Sequence, residues 1–149
     1  MKIKEISFDE ILPYWQLLWA NRKSPIEPMN GMLFRSGYDL QLASKYVPYF
    51  IAIVIENKIV GVNSFFQTDL ESFRSRGLYV LPEYRNQMLG QILLNETVLM
   101  AKDKKAKSIW SFPRQSAVST YQKVGFELVG SWIEEGVEFG PNIYAIKYL

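Results

Sequence analysis

"LYVLPEYRNQMLGQILL", residues 78–94, runs from an apolar extended stretch through a proline into an amphipathic repeat. Leu78 to Leu81 reads as a strand, and Pro82 stops it because proline brings no N–H to a ladder. From Met88 to Met100, the residues Met88, Leu89, Ile92, Leu93, Leu99 and Met100 fall within one apolar arc at about 100° per residue, which predicts a helix. Arg85, Asn86, Gln87, Met88, Leu89, Gly90 and Gln91 should form its first turn. Helix starts expose unpaired N–H groups and a positive dipole end, so a loop wrapped there can cradle an anion. Arg85 adds a fixed cation whose donors suit phosphate oxygens. The stretch matches neither the Gly-Lys-Ser/Thr phosphate loop nor the Gly-x-Gly-x-x-Gly dinucleotide loop.

Outward from this unit the chain alternates readily. "MKIKEIS" has the period of a half-buried strand, and Ser7 with Glu10 stands in capping-box spacing before a helix carrying Ile11, Trp15, Leu18 and Trp19 on one face. Pro13 sits awkwardly in that helix and argues for a later start. Residues 24–37 hold two prolines and two glycines, a loop composition, and a short helix is expected over Tyr38 to Tyr46. "YFIAIVIENKIVGVNSFF" reads as two strands joined at Glu56-Asn57-Lys58, and "SRGLYVLP" as the next strand. "SIWSF" is a buried strand. A helix starting at Pro113 carries Ala117, Tyr121 and Val124 and ends at Gly125, a C′ glycine; "FELVGSWIEE" and "NIYAIKYL" close the chain as strands. Hairpins beside strand–helix–strand units imply a mixed α/β (α+β) sheet with helices on its faces, in one domain spanning 1–149.

Composition narrows the chemistry. The chain of 149 residues has no Cys and no His, which excludes disulfides, thiolate zinc sites and Ser-His or Cys-His nucleophiles. Carboxylates, Tyr, Lys and backbone amides remain as catalytic groups, and no metal is expected. The net charge of +2 is nearly balanced, and the basic run Lys102–Lys107 falls where a helix ends and cations suit its dipole. Neither a nucleic acid nor a membrane is expected as a partner, and the N-terminus lacks an apolar leader, so a cytoplasmic location is the default.

Residues 78–94 resemble the first motif of the GNAT superfamily of acyl-CoA-dependent N-acetyltransferases, Val-x-Pro-x-x-Arg/Gln-x-x-Gly-x-Gly/Ala. Val80, Pro82, Arg85 and Gly90 match it, while Met88 stands where the family places its first glycine. "RQSAVSTYQKVGFE", residues 114–127, is similar to a second block, Asn-x-x-Ala-x-x-Phe-Tyr-x-Lys-x-Gly-Phe, through Ala117, Tyr121, Lys123, Gly125 and Phe126. Arg114 and Thr120 replace the usual Asn and Phe.

The resemblance implies a mostly antiparallel seven-stranded sheet whose fourth and fifth strands splay apart to admit acetyl-CoA. It implies that Leu78, Tyr79 and Val80 bond the pantetheine as an added strand would, with the Val80 N–H polarising the thioester carbonyl. Asn86 to Gln91 would hold the pyrophosphate, Met88 resisting the close approach or positive φ a glycine allows and Asn86 absorbing part of the unusual backbone. Tyr121 resembles the family's general acid toward the leaving thiolate. Arg114 is open between a CoA phosphate, an acceptor carboxylate and a solvated helix start. The base is open among Asp69, Glu71, Glu134, Glu135, Glu138 and a water chain, because the strand offers Arg74 and Arg76 where a carboxylate is common.

The acceptor implied is a small-molecule or peptide amine, set between Trp15, Trp19, Met29, Met32, Phe34 and Tyr38 on one side and Glu134, Glu135 and Glu138 on the other. Packing explains most of those residues equally well. A homodimer and a CoA-binding or sensing module with little catalysis remain as further readings.

Overall fold

A computed structural model of the chain describes residues 1–35 and 37–149; Ser36, inside the expected 24–37 loop, lies outside the described residues. The element order is β1 (Lys2–Ile6), α1 (Phe8–Leu18), β2 (Met32–Leu33), β3 (Gly37–Tyr38), α2 (Leu42–Lys45), β4 (Tyr49–Ile55), β5 (Lys58–Gln67), β6 (Ser72–Val80), α3 (Leu89–Asp103), β7 (Ser108–Ser111), α4 (Gln115–Lys123), β8 (Glu127–Ile133) and β9 (Asn142–Tyr148). A 3₁₀ turn, Pro82–Tyr84, separates β6 from the loop before α3. Seven strands form one sheet in the order β1-β4-β5-β6-β7-β9-β8, antiparallel at every pairing except β6 with β7. β2 and β3 make a separate two-stranded ladder, so the expected 38–46 helix shrinks to α2.

Alternation along β4 decides which helix covers which face. Phe50 and Ala52 pack with Ile11 and Trp15 of α1, whereas Ile51 and Ile53 pack with Leu89 and Leu93 of α3. Ser7 and Glu10 form the capping box, each side chain accepting from the other's backbone N–H. Contrary to the sequence reading, α1 does not wait for Pro13: the proline lies inside the helix on an exposed position, and burial of Ile11 and Trp15 outweighs the lost backbone bond. The β4–β5 turn is Glu56-Asn57, both with positive φ, as the type I′ hairpin requires. β6 begins at Ser72, earlier than the residue pattern suggests, because Phe73 and Arg74 are bonded on both sides, to β5 and to β7.

The α3 arc also shifts. Leu89, Leu93, Leu94, Val98 and Ala101 are buried, while Met88 and Leu99 are exposed, so the buried stripe runs nearer Leu94 and Val98 than the periodicity indicates. α4 ends as a Schellman motif: Phe126 N–H donates to the Tyr121 carbonyl and Gly125 N–H to that of Gln122, with Gly125 at φ +99.

Candidate active site

β6 and β7 are paired over Ser72–Arg74 and Ser108–Trp110 and then part company. Ser111 stitches the crotch, its Oγ donating to the Ser75 carbonyl at 2.7 Å. Beyond that point one edge of β6 has no strand beside it. Leu81 N–H donates to Val60 O on the β5 side, so the alternating antiparallel ladder turns the N–H and C=O of Val80 the other way, into the gap. A cavity of about 800 Å³ fills that gap, lined among others by Leu78, Tyr79, Val80, Arg85, Asn86, Met88, Gly90, Arg114 and Tyr121.

Gly77 bends the strand at the floor of this cavity. Its φ is +80, its carbonyl accepts from Trp15 Nε1 at 2.9 Å, and a Cβ there would enter the indole ring. Register with β5 shifts just beside it, between Val62 and Ser64, as a bulge requires.

The turn entering α3 is tighter than a helical first turn. Arg85 to Met88 precede the helix, which starts at Leu89 and has no side-chain cap. Asn86 and Met88 both take positive φ, 63° each. Asn86 thus behaves as expected, and Met88 accepts a conformation that costs a β-carbon-bearing residue about 1–2 kcal/mol, keeping its side chain in solvent. The Met88 carbonyl accepts from Ile92, which leaves the N–H groups of Leu89, Gly90 and Gln91 without helical partners. Arg85 sits across the turn: its Nε donates to Val80 O at 2.9 Å, and its guanidinium lies 5.4 Å over the Tyr79 ring. Gln87 is exposed in the same turn.

Tyr121 is buried, its hydroxyl 2.9 Å from Ser75 Oγ and 3.1 Å from Ser111 Oγ. Ser75 can donate to the phenol oxygen, while the single Ser111 proton is shared between the Ser75 carbonyl and the phenol. Burial pushes the Tyr121 pKa up, outweighing the hydrogen bonds from Ser111 and Ser75, so the group stays protonated. Ser75 is in turn held by Asn63 Nδ2, which also donates to Thr97. Ser75, Ser111 and Asn63 carry no motif signal; only the parting of two strands brings them to Tyr121.

The opposite face of β6 is cationic. Arg74 and Arg76, two residues apart on the strand, point away from Ser75 toward α1 and the 24–46 excursion. Arg76 lies 5.0 and 4.8 Å over Trp15 and Trp19 and donates to Glu27 O; Arg74 lies 5.0 Å over Trp110 and donates to Asn30 Oδ1. Arg114 caps α4 and donates to Leu18 O at the end of α1, 5.3 Å over Phe139, with its pKa lowered by desolvation.

The acidic candidates lie elsewhere. Asp69 accepts from Glu71 N–H, Glu71 pairs with Lys107 at 3.2 Å, Glu138 accepts from Lys23 N–H, and Glu134 and Glu135 are exposed. None lines the cavity. Of the expected acceptor wall, Trp19 reaches the cavity; Trp15 and Met29 are core, Met32 and Phe34 pack on Trp110 and Tyr144, and Tyr38 is exposed. Among the described residues no helix is long and apolar enough to cross a membrane, and no group of three or more His, Cys, Asp or Glu is placed to hold a metal.

The acetyltransferase (GNAT) domain matches residues 48–128, more than half of the chain and the whole of the splayed region. The chain belongs to the GNAT family. It is therefore an acyltransferase, and its sheet is the GNAT sheet. Solved structures share that fold over nearly the full length. A ribosomal-protein-alanine N-acetyltransferase from Brucella melitensis is 17% identical, with 100% of both chains covered and a TM-score of 0.71. A GNAT family acetyltransferase from Elizabethkingia anophelis with acetyl-CoA bound is 20% identical over 99% of this chain and 97% of that one, TM-score 0.62. The PaiA N-acetyltransferase from Thermoplasma acidophilum in complex with coenzyme A is 15% identical over 99% and 98%, TM-score 0.67. No curated protein matches significantly.

Proposed function

We propose that this GNAT chain moves an acetyl group from acetyl-CoA to an amine of a small molecule or peptide by direct attack, with no acyl-enzyme intermediate. The observation that carries the reading is the bare edge of β6 beyond Arg74, ending at a Val80 N–H aimed into the same cavity as the Tyr121 hydroxyl.

The residues present suit the cosubstrate. A free β-edge offers the alternating donors and acceptors that an amide-bearing pantetheine arm can pair with. The uncapped amides of Leu89, Gly90 and Gln91, reached through the two left-handed residues, suit a diphosphate. At Gly90 the backbone is open to such an approach, since the nearest atom to a hypothetical Cβ is Thr120 Cγ2 at 3.5 Å. Arg85 supplies the adjoining cation once it releases Val80 O.

Val80 N–H then serves as the donor for the oxygen that gains charge as the amine adds to the thioester carbonyl. Tyr121 gives its proton to the departing thiolate and regains one from solvent. The new C–N bond replaces C–S, and the amine's surplus proton leaves through water, since no carboxylate lines the cavity. Calorimetry with CoA, followed by thiol release from acetyl-CoA across an amine panel, tests the reading. Tight CoA binding with no turnover on any amine would make the chain a binding module; absence of CoA binding would sink the reading altogether.

A further inference from the structure

We infer that the acceptor is an anion: an amine that also carries a carboxylate or phosphate group, gripped by Arg74, Arg76 and Arg114. The inference rests on the acyl-transfer reading above and names the substrate class of the same cleft.

Charge sign is the first observation. Five cations line the cavity, Arg74, Arg76, Arg85, Arg114 and Lys123, and among the described residues not one of the chain's 15 Asp and Glu does. These five divide between two ends. Arg85 and Lys123 belong to the α3 and α4 side, where the uncapped amides already suit phosphate. Arg74 and Arg76 project from β6 toward α1, and Arg114 is tied to the last turn of α1 through Leu18 O. The second group is not needed to hold a diphosphate at residues 86–91.

Missing partners are the second observation. Arginine is seldom buried unless paired with an acid. Arg74 is 7% exposed and Arg76 4% exposed, yet the ion pairs among the described residues are Lys58–Glu83 and Lys107–Glu71, which involve neither. Each of the three arginines donates to one oxygen, a backbone carbonyl or the Asn30 side chain, and Arg74 also donates to Met32 Sδ, although a guanidinium carries five N–H donors. The Nε of Arg74 is buried with no partner at all. Burial, with Arg74 and Arg22 nearby and only partly offset by the Glu27 carboxylate, lowers the Arg76 pKa to about 9, and burial lowers that of Arg74 to about 10. The fold therefore holds two cations under strain that a bound anion would relieve. Planar guanidinium forks match carboxylate and phosphate oxygens equally well.

The same field answers the missing base. Neighbouring positive charge disfavours an ammonium, so an acceptor anchored by its acid group has its amine driven toward the neutral, nucleophilic form.

Matched acceptors decide the matter, after calorimetry has established that CoA binds. The common amino acids, their carboxamides and decarboxylated counterparts, and phosphoethanolamine against ethanolamine, are compared by thiol release from acetyl-CoA. Inorganic phosphate and the same amines are also titrated into the CoA-saturated protein, followed by intrinsic fluorescence, to which Trp15, Trp19 and Trp110 beside the arginines contribute. The expected result is a preference of about 100-fold or more in kcat/KM for an acidic member over its neutral partner, as for a site whose buried donors are left unpaired by the wrong ligand. Whether a carboxylate or a phosphate wins distinguishes the two sources. Arg114→Gln, at a half-exposed position, should raise KM at least about tenfold with CoA affinity unchanged, and Arg114→Lys should restore part of it. Neutral amines accepted equally well, an unchanged KM in both Arg114→Gln and Arg76→Gln, or no binding of phosphate or acidic amines to the CoA-saturated protein would each overturn the inference while leaving the CoA site intact. Failure of CoA itself to bind would instead remove the reading beneath it.

Discussion

The two ends of the cleft are built from different materials. On the α3 side the groups proposed to act are main-chain amides: the open edge of β6, the Val80 N–H and the uncapped start of α3. On the α1 side they are side chains, three arginines stacked on aromatic rings and drawn from β6 and the start of α4. A main-chain site recognises what every family member shares, because backbone groups are the same in every sequence provided the fold is kept. A side-chain site can be respecified by single substitutions. The contrast teaches where to look for the common reaction and where for the particular substrate.

The strongest way to break that contrast is to disturb the residue both ends rest on. Gly77→Ala places a β-carbon against the Trp15 ring at a φ that alanine resists, and Trp15 is itself anchored to the Gly77 carbonyl. A loss of about 3 kcal/mol or more in urea unfolding is expected, with both CoA and acceptor binding impaired together. Unchanged stability would mean that the bulge is not fixed by this contact.

Tyr121→Phe separates chemistry from binding on the α3 side. It should lower kcat by about 100-fold while leaving CoA affinity as measured by calorimetry unchanged. Because burial raises the Tyr121 pKa, the wild-type proton is retained above the usual phenol range near 10, and the kcat decline due to its loss should begin only on the alkaline side of that value. Full activity in the phenylalanine variant would strip the residue of its role.

The smallest effect sharpens the comparison most finely. Met88→Gly removes the left-handed penalty at an exposed position, so it should stabilise the protein by about 1 kcal/mol, seen as a rise in Tm. CoA affinity should hold or improve, and the acceptor preference should stay the same. A changed acceptor preference would show that the two ends are coupled through this turn.

How much the sequence disclosed follows the same division. The strand-turn-helix of 78–94 and the Tyr121–Phe126 block announced the α3 side, because those contacts are local and a C′ glycine or an interrupted strand leaves a mark in a single window. The left-handed Met88 went against expectation, since the turn dictates its backbone and solvent tolerates its side chain. Arg74 and Arg76 were visible as an "RSR" that lacked a carboxylate, but their meaning was not. A two-residue period puts them on one face, and only the packing of α1 and the 24–46 excursion shows that the face is buried, with no acid ion-paired to either arginine among the described residues. Glu134, Glu135 and Glu138 lie on the β8–β9 turn, where the reading puts them, but line no part of the cavity.

A wall without acids also governs what leaves the cleft. Acetylation turns an ammonium into a neutral amide, so a product departs with one positive charge fewer than its precursor brought in. For the inferred anionic acceptor, the arginines are therefore expected to hold the finished molecule more tightly than the incoming one, and added product should slow turnover most in dilute salt.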